Sequence, residues 1–456
     1  MGLLSRSGRH RPPDRPGKTT GATALADMDG IDFATALVER ARHAGADAAQ
    51  AAHVDTEQFE LDADTGGVSL IATKHGDSTT LTVFRDERRG TAELTGRDEA
   101  AVDAAIRNAL DTADATRPDP ANAVAEVRSA PPSRHGPEQA DRNGMLAAVR
   151  DYLDGLRARF PLLRVRHAIY TFEDRRRSFA NTAGAHRQER RGVHRFGTMF
   201  GAKDGTRSTS FNYTGASAWE PFQRLIEAGA VESLIADTMR SFDPRPVPEK
   251  FIGDVIVTPS CTASIAGTLA RALDGYALMG GLTPYADREG QTIASPAFSL
   301  LNRPADARFP DGADFDDCGV ATRNVDVIRN GTLETFLVDF FCSRKLGRRQ
   351  NAGCRNLVIP PGERGIDDLI RETERGIVLA RFSGGVPNHK LDFSGVAKNS
   401  FYVEDGEIRY PLIETMASGN FQDLLMNIRG VSSESTDFGG GAFPYLAASG
   451  VTISRP

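Results

Sequence analysis

Through the first 245 residues, apolar side chains recur at two alternating periods, every three to four residues or every second residue. Phe33 to His43 carries Ala36, Leu37 and Ala41 at helical spacing, and Gly45 follows as a stop. Strand-like stretches come next, Ala48–Val54, Gly67–Ala72 and Thr79–Phe84, with a turn expected at His75-Gly76-Asp77. Gly90 is expected to close the Arg-rich run 85–89. Thr95 and Asp98 have capping-box spacing ahead of the stripe Val102, Ile106 and Leu110, which predicts a helix starting at Thr95. Met145–Phe160 is a second helix, with Leu146, Val149, Leu153 and Leu156 on one side. Alternation over Val165–Phe172 and Gly192–Gly201 predicts antiparallel strands, and Ala228–Phe242 a further helix.

The prolines of 243–248 mark a boundary. Beyond it lie a strand, Asp254–Thr258, a helix from about Ala263 to Leu273, and then short β-like runs rich in Gly and Pro, with one helix near Ile366–Glu374. The expected fold class is α+β: an α/β N-terminal domain, 31–245, followed by a β-rich C-terminal domain, 250–456. Residues 1–30, rich in Arg, Pro, Gly and Thr, are expected to be a disordered leader or an over-extended start.

Composition narrows the partners. A length of 456 residues favours two domains, and 40% hydrophobic with 25% charged residues is an ordinary globular balance. The net charge of -6 disfavours nucleic acid. No apolar segment approaches the length of a membrane span or signal peptide, so the expected location is cytoplasmic. Only seven of the 55 basic residues are lysine, which points to a GC-rich bacterial genome. Four scattered cysteines, without a CxxC pair, supply neither a disulfide framework nor a zinc ribbon. The arginines of 85–89 and 175–191 could recognise an anion, but are read as solvated faces of sheets and helices.

A series of short segments then carries a resemblance. Asp254-Val-Ile-Val-Thr-Pro259 leads to a helix ending Ala272-Leu-Asp-Gly275. Glu289-Gly-Gln-Thr-Ile-Ala-Ser295, Phe315-Asp-Asp-Cys-Gly319, Arg329-Asn-Gly-Thr-Leu-Glu-Thr-Phe-Leu337 and Asp392-Phe-Ser394 follow in order. The tail adds Glu404-Asp-Gly-Glu-Ile408 and Ser418-Gly-Asn-Phe-Gln-Asp-Leu-Leu425. Gly66–Leu70, Arg89-Gly90 and Asn181-Thr-Ala-Gly184 match more loosely. In this order the landmarks resemble the TldD/PmbA family over roughly residues 30–456. The resemblance implies two subunits enclosing a cavity in which an extended peptide or small amide is cut.

In the TldD subunits of that family, HExxxH on the helix after the first C-terminal strand, with a later cysteine, holds Zn²⁺, and the Glu is the general base. Matching the helix ends puts Ala266, Gly267 and Arg271 at the His, Glu and His positions, and Thr436 near the cysteine. The chain therefore resembles the TldE/PmbA-type subunit that lacks the zinc motif. No catalytic residue, metal ligand or cofactor is expected in it, and Zn is expected in a TldD-type partner.

Three side chains remain candidates for the substrate cavity. Cys261 precedes the displaced motif at a helix N-terminus, where its thiol would be activated, although a buried inert thiol is the preferred reading. Cys318 is read as packing. His389 lies in the loop Gly384–Lys390 and is read as a surface residue. Arg271 is expected to lie off a buried stripe of Ile265, Leu269 and Leu273, facing the cavity. The leading expectation is a non-catalytic partner subunit in a heterodimer. The alternatives are a hydrolase (peptidase or small-molecule N-deacylase) with its own site around Cys261 or His389, and a regulatory binding protein, since the family also carries a gyrase-modulator label.

Overall fold

The structure is a computed structural model. It describes residues 25–455 apart from 352, 386 and 389, so His389 and most of the expected leader lie outside the described residues. Among the described residues no helix is long and apolar enough to cross a membrane.

The first helix, α1 (Gly30–His43), begins where the Asp29 carboxylate accepts from the amides of Ile31 and Asp32. It buries Phe33, Leu37, Val38 and Ala41. Strands β1 (Ala48–Asp64) and β2 (Gly67–Arg85) form one long antiparallel hairpin. The turn expected at 75–77 is absent: Thr56 faces Gly76 in continuous register, and Lys74 reaches across to Glu60 at 2.7 Å. The actual turn is Asp86-Glu87, both at positive φ, before β3 (Arg88–Leu94). Gly90 does not close the Arg run but lies within β3. A Cβ there would sit 1.8 Å from the Ala109 carbonyl of α2 (Glu99–Ala115), so glycine permits the helix to approach the strand. That helix starts later than expected, capped by Asp98.

Strand β4 (Ser133–His135) lies between α2 and the next helix. Helix α3 (Arg142–Arg159) leads to β5 (Leu163–Asn181), β6 (His186–Asp204), β7 (Arg207–Ser208) and β8 (Asn212–Ala218). The path across this first sheet is β3-β2-β1-β5-β6-β4, antiparallel except for β4 on β6, and β8 also pairs with β6. One apolar core gathers α1 and α2 against β1 and β2. Another gathers α3 and α4 (Val231–Arg240) against β5 and β6.

The chain then enters a second, mixed sheet of short strands, thirteen among the described residues. Its centre is Gly441–Ser454 beside β9 (Phe251–Val257), and β9 pairs in parallel with Arg375–Leu379. Helix α5 (Pro259–Ala272) follows β9 directly, beginning four residues before the expected start because Pro259 suits the first helical position. The α+β class is as expected, with helices concentrated in the first half and short strands in the second.

The two sheets meet through a clamp. Arg177 of β5 donates to the carbonyls of Phe315 (2.8 Å) and Asp316 (3.1 Å) and to the carboxylate of Asp317 (2.6 Å). Arg191 of β6 pairs with Asp314 at 2.7 Å, and the Glu189 carboxylate accepts from the Asp314 amide at 2.8 Å. Arg177, Glu189 and Arg191 are all buried. The reading of this arginine run as a solvated face is thus wrong at Arg177 and Arg191: alternation along β5 and β6 turns them inward onto the 314–317 segment.

Candidate functional site

Helix α5 is set by its strand. Val255 and Val257 of β9 are buried, and the helix lays Thr262, Ala266, Leu269, Ala270 and Leu273 into the same core. The expected stripe holds for Leu269 and Leu273, both fully buried. Ile265 departs from it. It is half-buried and lines a cavity of about 180 Å³ between α5 and the strand Arg381–Gly384.

That cavity is almost wholly apolar. Val255, Val257, Leu379, Phe382, Phe393, Leu424 and Val451 line it beside Cys261 and Ile265, and the hydroxyls of Ser264 and Thr268 lie at one side. Phe382 and Phe393 meet edge to face with centroids 5.9 Å apart. Arg381–Gly384 is paired with one strand only, Asp392–Lys398, and no second strand pairs with its other edge among the described residues.

Cys261 is 7% exposed. Burial pushes its thiol up to about 11, against weaker opposing contacts with the Phe382 backbone, Thr258 and Arg381. The helix N-terminus does not overcome desolvation, and on the order of one thiol in 10⁴ is ionised at neutral pH. Burial of the thiol weighs against the nucleophile reading. Cys318 is likewise pushed up to about 12 by burial and by Asp316.

Arg271 is exposed, and its guanidinium donates to the Thr268 hydroxyl at 3.0 Å. It forms no ion pair among the described residues. Gly267 lies one turn before it, and a Cβ there would meet only the Arg271 Nη1, at 3.8 Å. Ala266 is fully buried, and Thr436 lies half-buried in the strand Ile428–Asp437, opposite Phe443. A methyl, a hydrogen, a guanidinium and a neutral hydroxyl offer none of the imidazole, thiolate or carboxylate donors that zinc takes. The residues at these four positions do not fit the metal.

One group elsewhere has ligand geometry, His53, Asp55 and Asp77, whose ligand atoms lie within 4.8 Å of one another. Its centre is already cationic. Arg97 donates to Asp55 at 2.8 Å and to Asp77 at 3.2 Å, and stands 2.7 Å from His53 Nε2. A metal there would have to displace a guanidinium, so this is an internal brace between β1, β2 and the start of α2. Sequence spacing did not reveal it, because register brings together residues more than 20 positions apart.

Residues 251–455 match the family model of the PmbA/TldA metallopeptidase C-terminal domain. The chain is 28% identical over 247 residues to a Haemophilus influenzae "Metalloprotease PmbA homolog", covering 52% of this chain and about half, 53%, of that relative. It is 26% identical over 417 residues to the Escherichia coli O157:H7 "Metalloprotease PmbA", covering 85% of this chain and 88% of the relative. The crystal structure of TldE from Thermococcus kodakarensis superposes with a TM-score of 0.74 at 20% identity, covering 92% of this chain and 99% of that one, a likeness of fold. With the C-terminal match beginning at β9 and running through α5 to the last strand, residues 251–455 of this chain belong to the TldD/PmbA family.

Proposed function

We propose that this chain is the non-catalytic, TldE/PmbA-type subunit of a two-chain metallopeptidase or amide hydrolase, a cytoplasmic heterodimer with a zinc-bearing TldD-type partner. The observation that carries the reading is the outward face of α5. Where relatives need a base and a ligand, it presents Gly267 and an unpaired Arg271 beside Thr268. A guanidinium cannot accept a proton near neutral pH, so this face can bind and orient but not activate water.

The chemistry left to the chain is recognition. An extended peptide can add to the edge of Arg381–Gly384 that no second strand pairs with, with alternate side chains directed to either face of the sheet. The apolar cavity behind that edge, walled by Phe382, Phe393 and Ile265, would receive one apolar side chain or acyl group. Arg271 is exposed on this face, and we assign it to holding the assembly. Zinc, when bound by the partner, supplies the activated water; this chain supplies shape and exclusion of solvent.

Co-expression with a TldD-type chain tests this. The expected result is a stable complex with zinc on the partner, which cleaves extended peptides or N-acyl amides, while the single chain cleaves neither. Turnover by the purified single chain at the rate of the pair, or about one tightly held zinc in it, would overturn the proposal.

A further inference from the structure

We propose that a second cavity, of about 380 Å³ beside the strand Val325–Arg329, binds a free α-amino acid, held by its carboxylate between Arg323 and Arg349. Three arginines line this space, and only one is satisfied. Arg329 pairs with one oxygen of Asp326 at 2.5 Å, and Arg303 takes the other oxygen at 2.5 Å, so that carboxylate has no charge to spare. Arg323 and Arg349 have no carboxylate, carbonyl or aromatic partner among the described residues, although the chain holds 61 acidic residues against 55 basic ones. Burial removes water from Arg323 and the Arg349 charge repels it, and both effects lower its proton affinity. Two guanidinium-bearing side chains beside one pocket, Arg323 half-buried and Arg349 exposed, neither in an ion pair among the described residues, fit an oxyanion, which each fork can meet with parallel N–H donors.

Glu334 decides which oxyanion. This exposed residue lines the same cavity and pairs with neither arginine among the described residues. A doubly charged phosphate would be repelled by it, whereas an ammonium on the same ligand would be attracted. The fixed charges therefore complement a zwitterion, with the carboxylate at the arginines and the ammonium at Glu334. The volume suits an amino acid of modest size. The inference does not depend on the proposed subunit role.

Calorimetric titration of the full chain at low ionic strength, with glycine, L-alanine and L-leucine beside acetate and inorganic phosphate, tests it. At least one amino acid is expected to bind more tightly than acetate or phosphate. Arg323→Gln and Arg349→Gln should each weaken it about tenfold, the cost of a lost charged hydrogen bond. Neither arginine has a partner among the described residues, so both variants should keep the wild-type melting temperature. Glu334→Gln should weaken the amino acid but leave acetate unchanged or tighter. Phosphate binding as tightly as any amino acid, amino-acid binding that survives both arginine variants, or no binding at all would each overturn the proposal.

Discussion

Replacing Arg177 by methionine removes the centre of the clamp between the sheets while keeping most of the side-chain volume. Three donations are lost, to Phe315, Asp316 and Asp317, together with the stacking of the guanidinium 4.6 Å over the Phe315 ring. They do not weigh equally. Asp317 is 86% exposed and keeps its hydration, so its contact is worth little. The two carbonyls receive donors on a guanidinium that is itself buried, and each would lose about 1–2 kcal/mol on becoming unsatisfied. Glu189, 3.7 Å from Arg177, keeps Arg191 at 3.3 Å and the Asp314 amide, so it is not left as an isolated buried charge. Against these losses stands the desolvation cost that Arg177 bears in the native protein, which methionine escapes. The balance is a destabilisation of about 2–4 kcal/mol. Hydrogen exchange reads it locally: the amides of Cys318, Gly319 and Val320 close the turn around Asp316 and should exchange about 30-fold faster or more. Arg177→Lys, which cannot reach all three acceptors, should fall between. Unchanged exchange in this turn, with denaturation midpoints unmoved in Arg177→Met, would refute the assignment of the clamp to Arg177.

Three further outcomes follow from single side chains. Cys261, buried and pushed up to about 11, should react with iodoacetamide at neutral pH far more slowly than a free thiol, and Cys261→Ala should leave the activity of the assembled pair intact; rapid labelling that abolishes activity would restore the nucleophile reading. His194 is fully buried beside Tyr170 and Phe172, and burial lowers it from its ordinary 6.5 to about 4. Its folded value is depressed, so its contribution to stability is fully present above about pH 6.5 and is lost as pH falls through 4; His194→Phe should flatten that part of the stability profile, and an NMR titration midpoint near 6.5 would contradict it. Arg271→Ala should leave the melting temperature of the isolated chain unchanged, because its one bond is to Thr268 on the surface, yet weaken association with a TldD-type partner; normal assembly with a clearly raised KM would move Arg271 to substrate contact.

What was legible in the sequence depended on how far apart the cooperating residues lie. The apolar stripes of α1, α2 and α3 are local, and each is the face buried against a sheet. Their ends were less so. Thr95 and Asp98 are both good caps, but Asp77 accepts from the Gly96 amide at 2.7 Å, and Gly96 takes a positive φ, which holds 95–97 outside the helix and leaves the cap to Asp98. The same competition removed the turn at His75-Gly76-Asp77. Its local chemistry favours reversal, but seventeen register pairs between β1 and β2 run through it, and a long hairpin outweighs one turn.

The candidate site divides in the same way. The placing of Ala266, Gly267 and Arg271 at the family's metal positions rests on resemblance, because they share one helix with a recognisable end. The cavity beside them could not. Leu379, Phe382, Phe393, Leu424 and Val451 come from separate elements, and no spacing along the chain announces that they converge on Ile265. Helical periodicity even argued the other way, placing Ile265 with Leu269 and Leu273 in the core. The period was right, but position 265 falls at the edge of the stripe, where the neighbouring element decides whether a side chain meets packing or space. Here that element is Arg381–Gly384, where Gly384 at its end and Gly385 just beyond it bring no side chains to close the gap. Periodicity identifies which residues turn inward; whether they find a partner or a void depends on the sequence of a distant strand.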